Sequence, residues 1–522
     1  MSQILSWIVL LPALTGLLIL LLPKSLEAKS RQIAVIATLI VAALALWAAQ
    51  AFDVNAADPL HFHIRTEWIP MLGIHYDLAL DGMNLPLVLL TVLLTPLAFI
   101  GTWNQTSGDS TMQKRMSALV LIMETGALGT FLAQDLFLFY IFWEVILLPA
   151  YLLIGMYGGA ERMKTTLQFF LYTFAGSILM LVGIAWLVHM QSQTTGHPDA
   201  SFQALMNLKI PFASSQGPAG LFSTQGLLFA AFAAAFFIKA PLVPFHAWLP
   251  STYRQAPTLV SIYLAAILSK MGTYGILKIL IPMFPEAAHS FQPVLMSLAA
   301  FGIVYGALLA IVQTNFKTAV AYSSLSHVSY ILLGLFSLKA EGMGGALLQM
   351  VNHGIAIAGL FMISGFLEKR RGSLELKDFG GWAPQTPVLA TGFMVIVLST
   401  VALPGSGGFV GEFAILIASF RVNGYITAVA ATGMVLGAVY MLNLYQKTMF
   451  GRYVDDYVKK VADLDFREIF VLVVLGIFIV GIGITPQPFV APSRTAIEDS
   501  AKRVSPNDAL PERQAVPGQV SR

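Results

Sequence analysis

Residues 136–157 read LFLFYIFWEVILLPAYLLIGMY, an apolar stretch with one charged side chain, Glu144, near its middle. An α-helix of about 20 such residues is long enough to cross the hydrocarbon core of a membrane. Similar stretches of about 18–25 apolar residues recur along the whole chain. The stretch therefore predicts a membrane-spanning helix that holds a carboxyl group inside the bilayer.

The composition of the chain is also that of a membrane protein. Of the 522 residues, 57% are hydrophobic and 11% are charged, whereas an ordinary soluble domain has about 25% charged residues. The net charge of +3 is too small to indicate a nucleic-acid surface. The chain has no cysteine, which excludes cysteine-ligated clusters and a cysteine nucleophile. We therefore expect an all-α polytopic membrane protein embedded in the lipid bilayer, with no nucleic-acid partner.

Fourteen apolar segments qualify as membrane spans by length and hydrophobicity. They lie at 4–22, 32–50, 84–103, 116–133, 136–157, 167–190, 225–249, 257–281, 292–312, 318–337, 343–366, 387–419, 424–449 and 468–486. Eighteen Lys and Arg residues lie in the loops that follow odd-numbered spans, and four lie in the other loops. By the positive-inside rule the odd loops face the cytoplasm. We expect about 14 transmembrane helices in a bacterial inner membrane, with both termini on the outer, periplasmic side.

Several ionisable side chains remain inside the predicted spans, where a central charge costs about 2.5–3.5 kcal/mol on insertion scales. They are Glu124, Glu144, Lys239, Lys270, Lys278, His327, His353 and Glu412. Counting residues from the span ends puts most of them near mid-depth, whereas Lys278 lies close enough to the outer surface to reach the interface. Acids, bases and imidazoles at one depth favour a proton relay. Structural ion pairs between helices are the alternative interpretation.

Two of the spans contain helix breakers. Pro241 and Pro244 interrupt span 7 next to Lys239, and the glycine-rich stretch 404–411 interrupts span 12 before Glu412. Unwound backbone at membrane depth is tolerated only where it is buried in protein or lines a wet cavity. Each break therefore predicts a hydrated site that contains an ionisable group.

The two broken spans stand in corresponding places, five spans apart and in opposite orientation. This spacing predicts two inverted five-helix repeats, spans 4–8 and 9–13, although coincidence is the alternative. The chain then divides into 1–115 (spans 1–3), 116–281 (first repeat), 282–449 (second repeat), 450–490 (cytoplasmic loop and span 14) and 491–522. The last segment is polar, with proline and mixed charge, so we expect a flexible tail.

The motifs themselves resemble a known family. The run Asp135–Glu144 is similar to the fifth-helix signature of the antiporter-like subunits of respiratory complex I, NADH:quinone oxidoreductase. Further matches to its seventh, eighth, tenth and eleventh helices lie at 239–250, 256–258, 270–275, 321–327 and 352–354. Glu412 resembles the branch of the family with a glutamate in the broken twelfth helix, where the L and N subunits typically have lysine. Two features depart from the family pattern: the turn Ser251–Arg254, and Asn315 in place of a common aspartate.

The resemblance implies a proton-translocating subunit with no cofactor of its own. Electron transfer from NADH to quinone, with FMN and iron–sulfur clusters, would take place in partner subunits. The implied partners are the neighbouring antiporter-like subunits L and N and, through them, the peripheral NADH-oxidising arm. A subunit of a Mrp-type sodium(cation)/proton antiporter is the alternative within the same family.

Roles for the buried groups follow from the resemblance and from their chemistry. Glu144 would load or release the proton of Lys239, because burial disfavours an ammonium and a nearby carboxylate favours it. Lys270 would carry the proton laterally with the help of His327 and His353, since the ordinary pKa of histidine, about 6.5, suits proton exchange. Glu412 would lie at the outward exit. Glu124 would have an auxiliary electrostatic role.

Two other classes of function compete with a proton relay. A purely structural scaffold would need the same buried charges for assembly and not for turnover. An intramembrane hydrolase is disfavoured, because the chain contains neither a zinc-binding HExxH motif nor a Gly-x-Ser-x-Gly motif.

Overall fold

A computed structural model of the chain describes residues 3–56, 58–106, 108–212, 220–454 and 458–504. Almost all regular structure in these residues is helical. The helices are α1 (Ile4–Leu20), α2 (Ser30–Gln50), α3 (Leu85–Gly101), α4 (Ser110–Leu132), α5 (Leu136–Val145), α6 (Leu147–Tyr157), α7 (Arg162–Thr195), α8 (Phe202–Met206), α9 (Thr224–Lys239), α10 (Leu249–Gln255), α11 (Thr258–Tyr263), α12 (Ser269–Gly275), α13 (Ile281–Met283), α14 (Pro285–Ile311), α15 (Phe316–Phe336), α16 (Ala340–Arg371), α17 (Pro387–Thr400), α18 (Gly407–Val422), α19 (Gly424–Met449), α20 (Phe466–Ile484), α21 (Gln487–Val490) and α22 (Arg494–Val504).

The helices coincide with the predicted spans. Within the described residues, 10 helical stretches are long and apolar enough to cross a membrane. The other four predicted spans contain the shorter apolar helices α1, α3, α9 and α17. The mostly helical membrane architecture is thus confirmed, whereas the number of crossings and the two repeats stay predictions.

Both predicted breaks are present. Helix α9 ends at Lys239, the chain turns through 240–248 without regular helix, and α10 begins at Leu249. Helix α17 ends at Thr400, and α18 begins at Gly407 after a turn in which Gly405 has a φ of +94°. Proline lacks the N–H that a helix interior requires, and only glycine adopts such a φ without strain, so the sequence itself places both breaks.

Two further distortions were not predicted, and both lie beside ionisable residues. Span 5 is divided at Ile146 into α5 and α6, directly after Val145 and next to Glu144. Pro149 has no N–H to donate to the carbonyl of Val145, which accounts for this division. Span 8 contains two π-helical turns, Leu264–Leu268 and Ile276–Leu280, on either side of α12. Such turns widen the helix and free backbone carbonyls.

A β-hairpin between α2 and α3 adds the two strands of the otherwise helical described residues. Strands β1 (His61–Ile69) and β2 (Ile74–Leu80) pair antiparallel. Nε2 of His63 lies 2.7 Å from Oδ1 of Asp77 across the hairpin. Burial raises the pKa of the Asp77 carboxyl, and the His63 ring opposes that shift. The hairpin reaches the start of α5, because the backbone N–H of His75 donates to Oδ2 of Asp135 at 3.0 Å.

The centre of the bundle is formed by α11–α13, α15 and α16, whose apolar segments are almost entirely buried. Helices α2, α7, α19 and α20 lie at the periphery and expose large apolar side chains, for example Leu171, Val182 and Trp186 of α7. An apolar exterior around a core with polar groups is the arrangement expected of a protein in lipid.

The first part of the segment from residue 491, which we predicted to be a flexible tail, contains helix α22. This helix packs on α13, α14 and α16, with Ile497, Ser500 and Val504 buried. Its apolar face is not evident from the composition of the segment, which is polar on average. Residues 505–522 lie outside the described residues.

Candidate functional site

Five of the predicted site residues are buried at the centre of the bundle. They come from five helices: Lys239 from α9, Lys270 from α12, His327 from α15, His353 from α16 and Glu412 from α18. Each is at most 5% exposed. Lys270 contacts His353 and His327 contacts Glu412 directly, and the rings of the two histidines are neighbours. Lys239 lies at the end of α9, which packs against the α12 helix that holds Lys270.

Lys239 is held by the residue that precedes Glu144. Its Nζ donates to the backbone carbonyl of Trp143 at 3.0 Å and lies 3.7 Å from the centre of the Trp143 ring. The indole in turn donates to the hydroxyl of Ser177 on α7, which fixes the ring. A cation over an indole face is stabilised by the ring quadrupole, so this contact favours the ammonium form of Lys239.

Glu144 lies at the edge of the site and is partly exposed. Among the described residues it makes no ion pair with Lys239, whose Nζ contacts the preceding residue, Trp143. Glu144 is the last residue but one of α5, next to the division between α5 and α6. The structure therefore places Glu144 beside Lys239 without a direct contact.

Lys270 projects from the straight segment between the two π-helical turns. Its Nζ donates to the carbonyl of Ala265 at 2.8 Å and to the hydroxyl of Ser269 at 3.3 Å. It lies 2.6 Å from Nδ1 of His353. A charged Lys270 has donors only and so donates to Nδ1 of His353, whereas a neutral Lys270 also has a lone pair that can accept from a protonated Nδ1. The two residues share one hydrogen-bonding proton between them.

The two histidines face one another beside the second break. Their ring centres are 5.9 Å apart. A cavity of about 10 Å³ lies against both rings and is also lined by Gln349, Asn352 and Gly408. That volume is close to the minimum for one water molecule, and the lining supplies the polar partners that such a water needs.

His327 connects to Glu412 on one side and to a tyrosine on the other. Its Nδ1 lies 2.8 Å from Oε1 of Glu412, and Nε2 of Gln349 donates to the same oxygen at 2.9 Å. The hydroxyl of Tyr440 on α19 lies 3.1 Å from Nε2 of His327 and accepts from the hydroxyl of Ser323 at 3.1 Å. An ionised Glu412 only accepts, in which case Nδ1 of His327 carries a proton and Nε2 of a neutral ring accepts from Tyr440.

The glycine-rich break lets these helices approach. A Cβ on Gly411 would lie 2.6 Å from Oε1 of Gln349, and one on Gly407 would lie 2.3 Å from Oδ1 of Asn352. Nδ2 of Asn352 also donates to the carbonyl of Gly407 at 2.6 Å. The glycines thus allow the polar side chains of α16 to contact the start of α18 and to reach Glu412.

The remaining ionisable residues of the spans lie apart from this row. Glu124 on α4 is fully buried near Thr95 and Tyr263. Lys278 pairs with the buried carboxylate of Asp81 at 2.7 Å and so does not simply extend to the membrane interface.

The two departures from the family pattern meet at one carboxylate on the predicted cytoplasmic side. Oε1 of Glu375 accepts from the guanidinium of Arg254 at 3.1 Å and from the amide of Asn315 at 2.9 Å. Nearby, Nζ of Lys317 lies 3.2 Å from Oε2 of Glu368. These contacts join the loop after α16 to α10 and α15. No cluster of three His, Asp or Glu side chains that could hold a metal ion occurs in the described part of the chain.

Sequence reasoning missed four uncharged members of the site: Trp143, Ser323, Gln349 and Tyr440. Each lies in or next to an apolar helix, where one polar atom does not stand out from the packing residues. Only the spacing of Ser323 and His327, four residues apart on one helix, was a usable signal for a shared face.

Comparison with known proteins places the chain in a family. The model of the family described as NADH:quinone oxidoreductase/Mrp antiporter, TM, matches residues 133–438. NADH-quinone oxidoreductase subunit M of Rhodobacter capsulatus is 36% identical over 473 residues, which cover 90% of each chain. A chain of respiratory complex I from Thermus thermophilus has 30% sequence identity and a TM-score of 0.84, covering 96% of this chain and 99% of that one. A chain of the Mrp complex from Dietzia sp. DQ12-45-1b shares the fold, with 21% identity, a TM-score of 0.79, and coverage of 96% and 98%.

The chain therefore belongs to the NADH:quinone oxidoreductase/Mrp antiporter family of membrane proteins. Within that family its similarity includes subunit M of NADH-quinone oxidoreductase over nearly the full length.

Proposed function

We propose that this chain is the proton-translocating membrane subunit of an NADH:quinone oxidoreductase and that Lys239, Lys270, His353, His327 and Glu412 form its proton pathway. One observation carries the proposal: Lys270, His353, His327 and Glu412 make an almost unbroken series of contacts inside the bundle, with polar distances of 2.6 and 2.8 Å at its two ends. Groups in such contact exchange protons readily, whereas isolated structural ion pairs leave gaps between them.

The pathway starts at Lys239, where two interactions compete. Contact with Trp143 and the field of Glu144 favour a charged Lys239, and burial favours the neutral amine. A movement of Glu144 at the α5–α6 division changes that balance and releases or loads the proton. Transfer from Lys239 to Lys270 requires bridging water, since no direct contact joins the two amines among the described residues.

The proton then passes from Lys270 to His353 through their shared hydrogen bond. His327 follows, reached through the small polar cavity beside the two rings. It can pass a proton from Nε2 to Nδ1 and on to Glu412 by exchanging tautomers. Glu412 ends the row, and we propose that it delivers the proton towards the outer side.

Tyr440 and Ser323 extend the row towards the cytoplasmic end of α15. Their hydroxyls donate in one direction, from Ser323 to Tyr440 to His327. A charged His327 would reverse the Tyr440 hydroxyl, because both ring nitrogens are then donors. We therefore propose that Tyr440 sets the tautomer of His327 and that the serine provides the next proton-exchanging group.

The remaining parts of the proposal concern the assembly. FMN, iron–sulfur clusters and quinone belong to partner subunits, and the neighbours are the antiporter-like subunits L and N. The membrane is a bacterial inner membrane with both termini outside, and spans 4–8 and 9–13 act as inverted halves. Glu124 has an auxiliary electrostatic role. The Mrp-type antiporter is disfavoured, because the Mrp relative is less similar in sequence than the complex I relative at equal coverage.

Replacement of Glu412 tests the outer end of the pathway. Glu412→Gln keeps an oxygen that can accept from His327 and Gln349 but cannot exchange a proton. We expect NADH-driven proton pumping to fall at least about tenfold, because a general acid–base group typically contributes about 10²–10⁴-fold to a rate. Pumping and quinone reduction are measured in membranes that contain equal amounts of assembled complex.

Glu341→Gln is the matched control, since Glu341 lies on the surface and pairs with exposed Arg421 at 3.2 Å. Its activity should match that of the wild type. Unchanged pumping by Glu412→Gln would remove Glu412 from the pathway.

Replacement of Tyr440 tests the branch towards the cytoplasmic end of α15. Tyr440→Phe keeps the ring and removes the hydroxyl between Ser323 and His327. We expect pumping per assembled complex to fall several-fold and its pH profile to change, because His327 loses the group that sets its tautomer. Tyr445→Phe is the control, since this tyrosine of the same helix donates only to the carbonyl of Ala390, at 3.2 Å. Equal effects of the two variants would show that Tyr440 merely supports packing.

A further inference from the structure

An apolar groove runs along the periphery between α2, α3, α16 and α20. Its volume is about 430 Å³, and its walls are formed by apolar side chains such as Ala42, Leu93, Ile355 and Val474. Leu39 and Leu46, on one rim, are 50% and 53% exposed, so the groove is open to the surroundings of the bundle. Since α2, α3 and α20 coincide with predicted spans, those surroundings are the hydrocarbon core of the membrane.

The cytoplasmic end of the groove is marked by a tryptophan with two arginines. Trp103 follows Ile100, the last groove residue of α3, by less than one helical turn. The guanidinium carbons of Arg31 and Arg467 each lie 5.5 Å from the centre of its ring. Arg467 is one turn from Phe470, which lines the groove. The cations therefore stand directly below the apolar walls, at the depth where phospholipid headgroups lie.

Among the described residues, the charged side chains at this end are mostly cations. Lys369 and Arg370 at the end of α16 join the two arginines, and the described carboxylates of Asp465 and Glu468 contact Lys369, Arg370 and Arg467. Arg467 and Lys369 remain 41% and 37% exposed, so both have surface left to meet a ligand.

We propose that the groove binds an anionic phospholipid of the cytoplasmic leaflet. One acyl chain fills the apolar groove, and the phosphate is held by Arg467 and Lys369 beside Trp103. A planar guanidinium binds phosphate oxygens in pairs, and basic pockets between spans on the cytoplasmic side are suited to anionic headgroups. The two ends of the site thus require one amphipathic ligand: the walls exclude a polar molecule, and the cations favour a charged headgroup.

The proposal is tested by photolabelling the intact complex in detergent with a phosphatidylglycerol that carries a diazirine in its acyl chain. Labelled peptides are mapped by mass spectrometry. We expect labelling within 86–100 and 470–478, with at least about fivefold stronger competition by unlabelled phosphatidylglycerol than by phosphatidylcholine. Arg467→Gln should abolish the preference for the anionic lipid, and Ala42→Phe, which narrows the groove, should abolish labelling. Arg421→Gln, an exposed arginine on the predicted outer side, should leave both unchanged.

Several outcomes would overturn the proposal. Equal competition by phosphatidylcholine would mean that the groove contacts bulk lipid without selection. Competition by an isoprenoid quinone and not by phosphatidylglycerol would assign the groove to a quinone tail. Absence of labelling in wild-type complex would mean that a partner helix covers it.

Discussion

Lys239→Ala is expected to abolish proton pumping by the assembled complex, with NADH-driven rates reduced by at least about a hundredfold, the scale on which acid–base groups contribute. Lys239 stands at one end of the row, and no other described amine contacts Trp143. An alanine can neither carry a proton nor respond to the charge of Glu144. The measurement is proton uptake and quinone reduction per assembled complex in membrane vesicles.

Two further lysine variants separate proton transfer from electrostatics. Lys239→Arg keeps the positive charge and the contact with the Trp143 ring, but a guanidinium does not release its proton. We expect it to be nearly as impaired as the alanine variant. Lys278→Ala removes a lysine of the same bundle that pairs with Asp81 outside the row, and we expect it to lower the amount of assembled complex more than its turnover. Wild-type pumping by Lys239→Arg would show that Lys239 supplies a positive charge and does not carry a proton.

The ionisable residues of the site were predictable because a charged side chain inside a membrane span costs free energy. An ionisable side chain in an apolar span stands out from its neighbours, and it persists only if the fold gives it partners or a function. The breaks in spans 7 and 12 were predictable from backbone chemistry. Pro241 lacks the N–H that a helix interior requires, and Gly405 can adopt backbone angles that other residues rarely adopt. Both breaks are confirmed by the ends of α9 and α17.

The connections within the site were not predictable in the same way. Gln349 and Tyr440 are uncharged and sit 63 and 113 residues from the groups they contact, Glu412 and His327. Their roles depend on how helices pack, and a single sequence does not encode which face of α19 meets α15. The π-helical turns around Lys270 likewise have no signal in the sequence, since residues 264–280 contain no proline.

The carboxylate of Glu412, the residue predicted to lie at the outward exit, contacts His327 and Gln349 at the centre of the bundle. Arg421, at the far end of the same helix, pairs with Glu341 at the surface. The exit role of Glu412 stays a prediction.

Glu144→Gln is expected to leave an assembled complex with pumping reduced at least about tenfold. The carboxylate is partly exposed, lies at the α5–α6 division and makes no ion pair with Lys239 among the described residues. A glutamine occupies the same space but has no charge with which to load Lys239. The variant for comparison is Glu124→Gln, which replaces a buried carboxyl of the neighbouring helix α4 that has only a proposed auxiliary role, so we expect a smaller loss of pumping.

The comparison between the two glutamine variants tests whether Glu144 acts on Lys239 through the position of its charge. If its charge acts through movement, Glu144→Asp, which keeps the charge on a shorter side chain, should recover a substantial part of the activity, and Glu124→Gln should lose little. If both carboxyls acted on Lys239 through their charge to the same extent, the two glutamine variants would lose similar amounts of pumping. Full pumping by Glu144→Gln would show that Lys239 is governed by Trp143, whose backbone carbonyl and ring contact its Nζ, and not by the charge of Glu144.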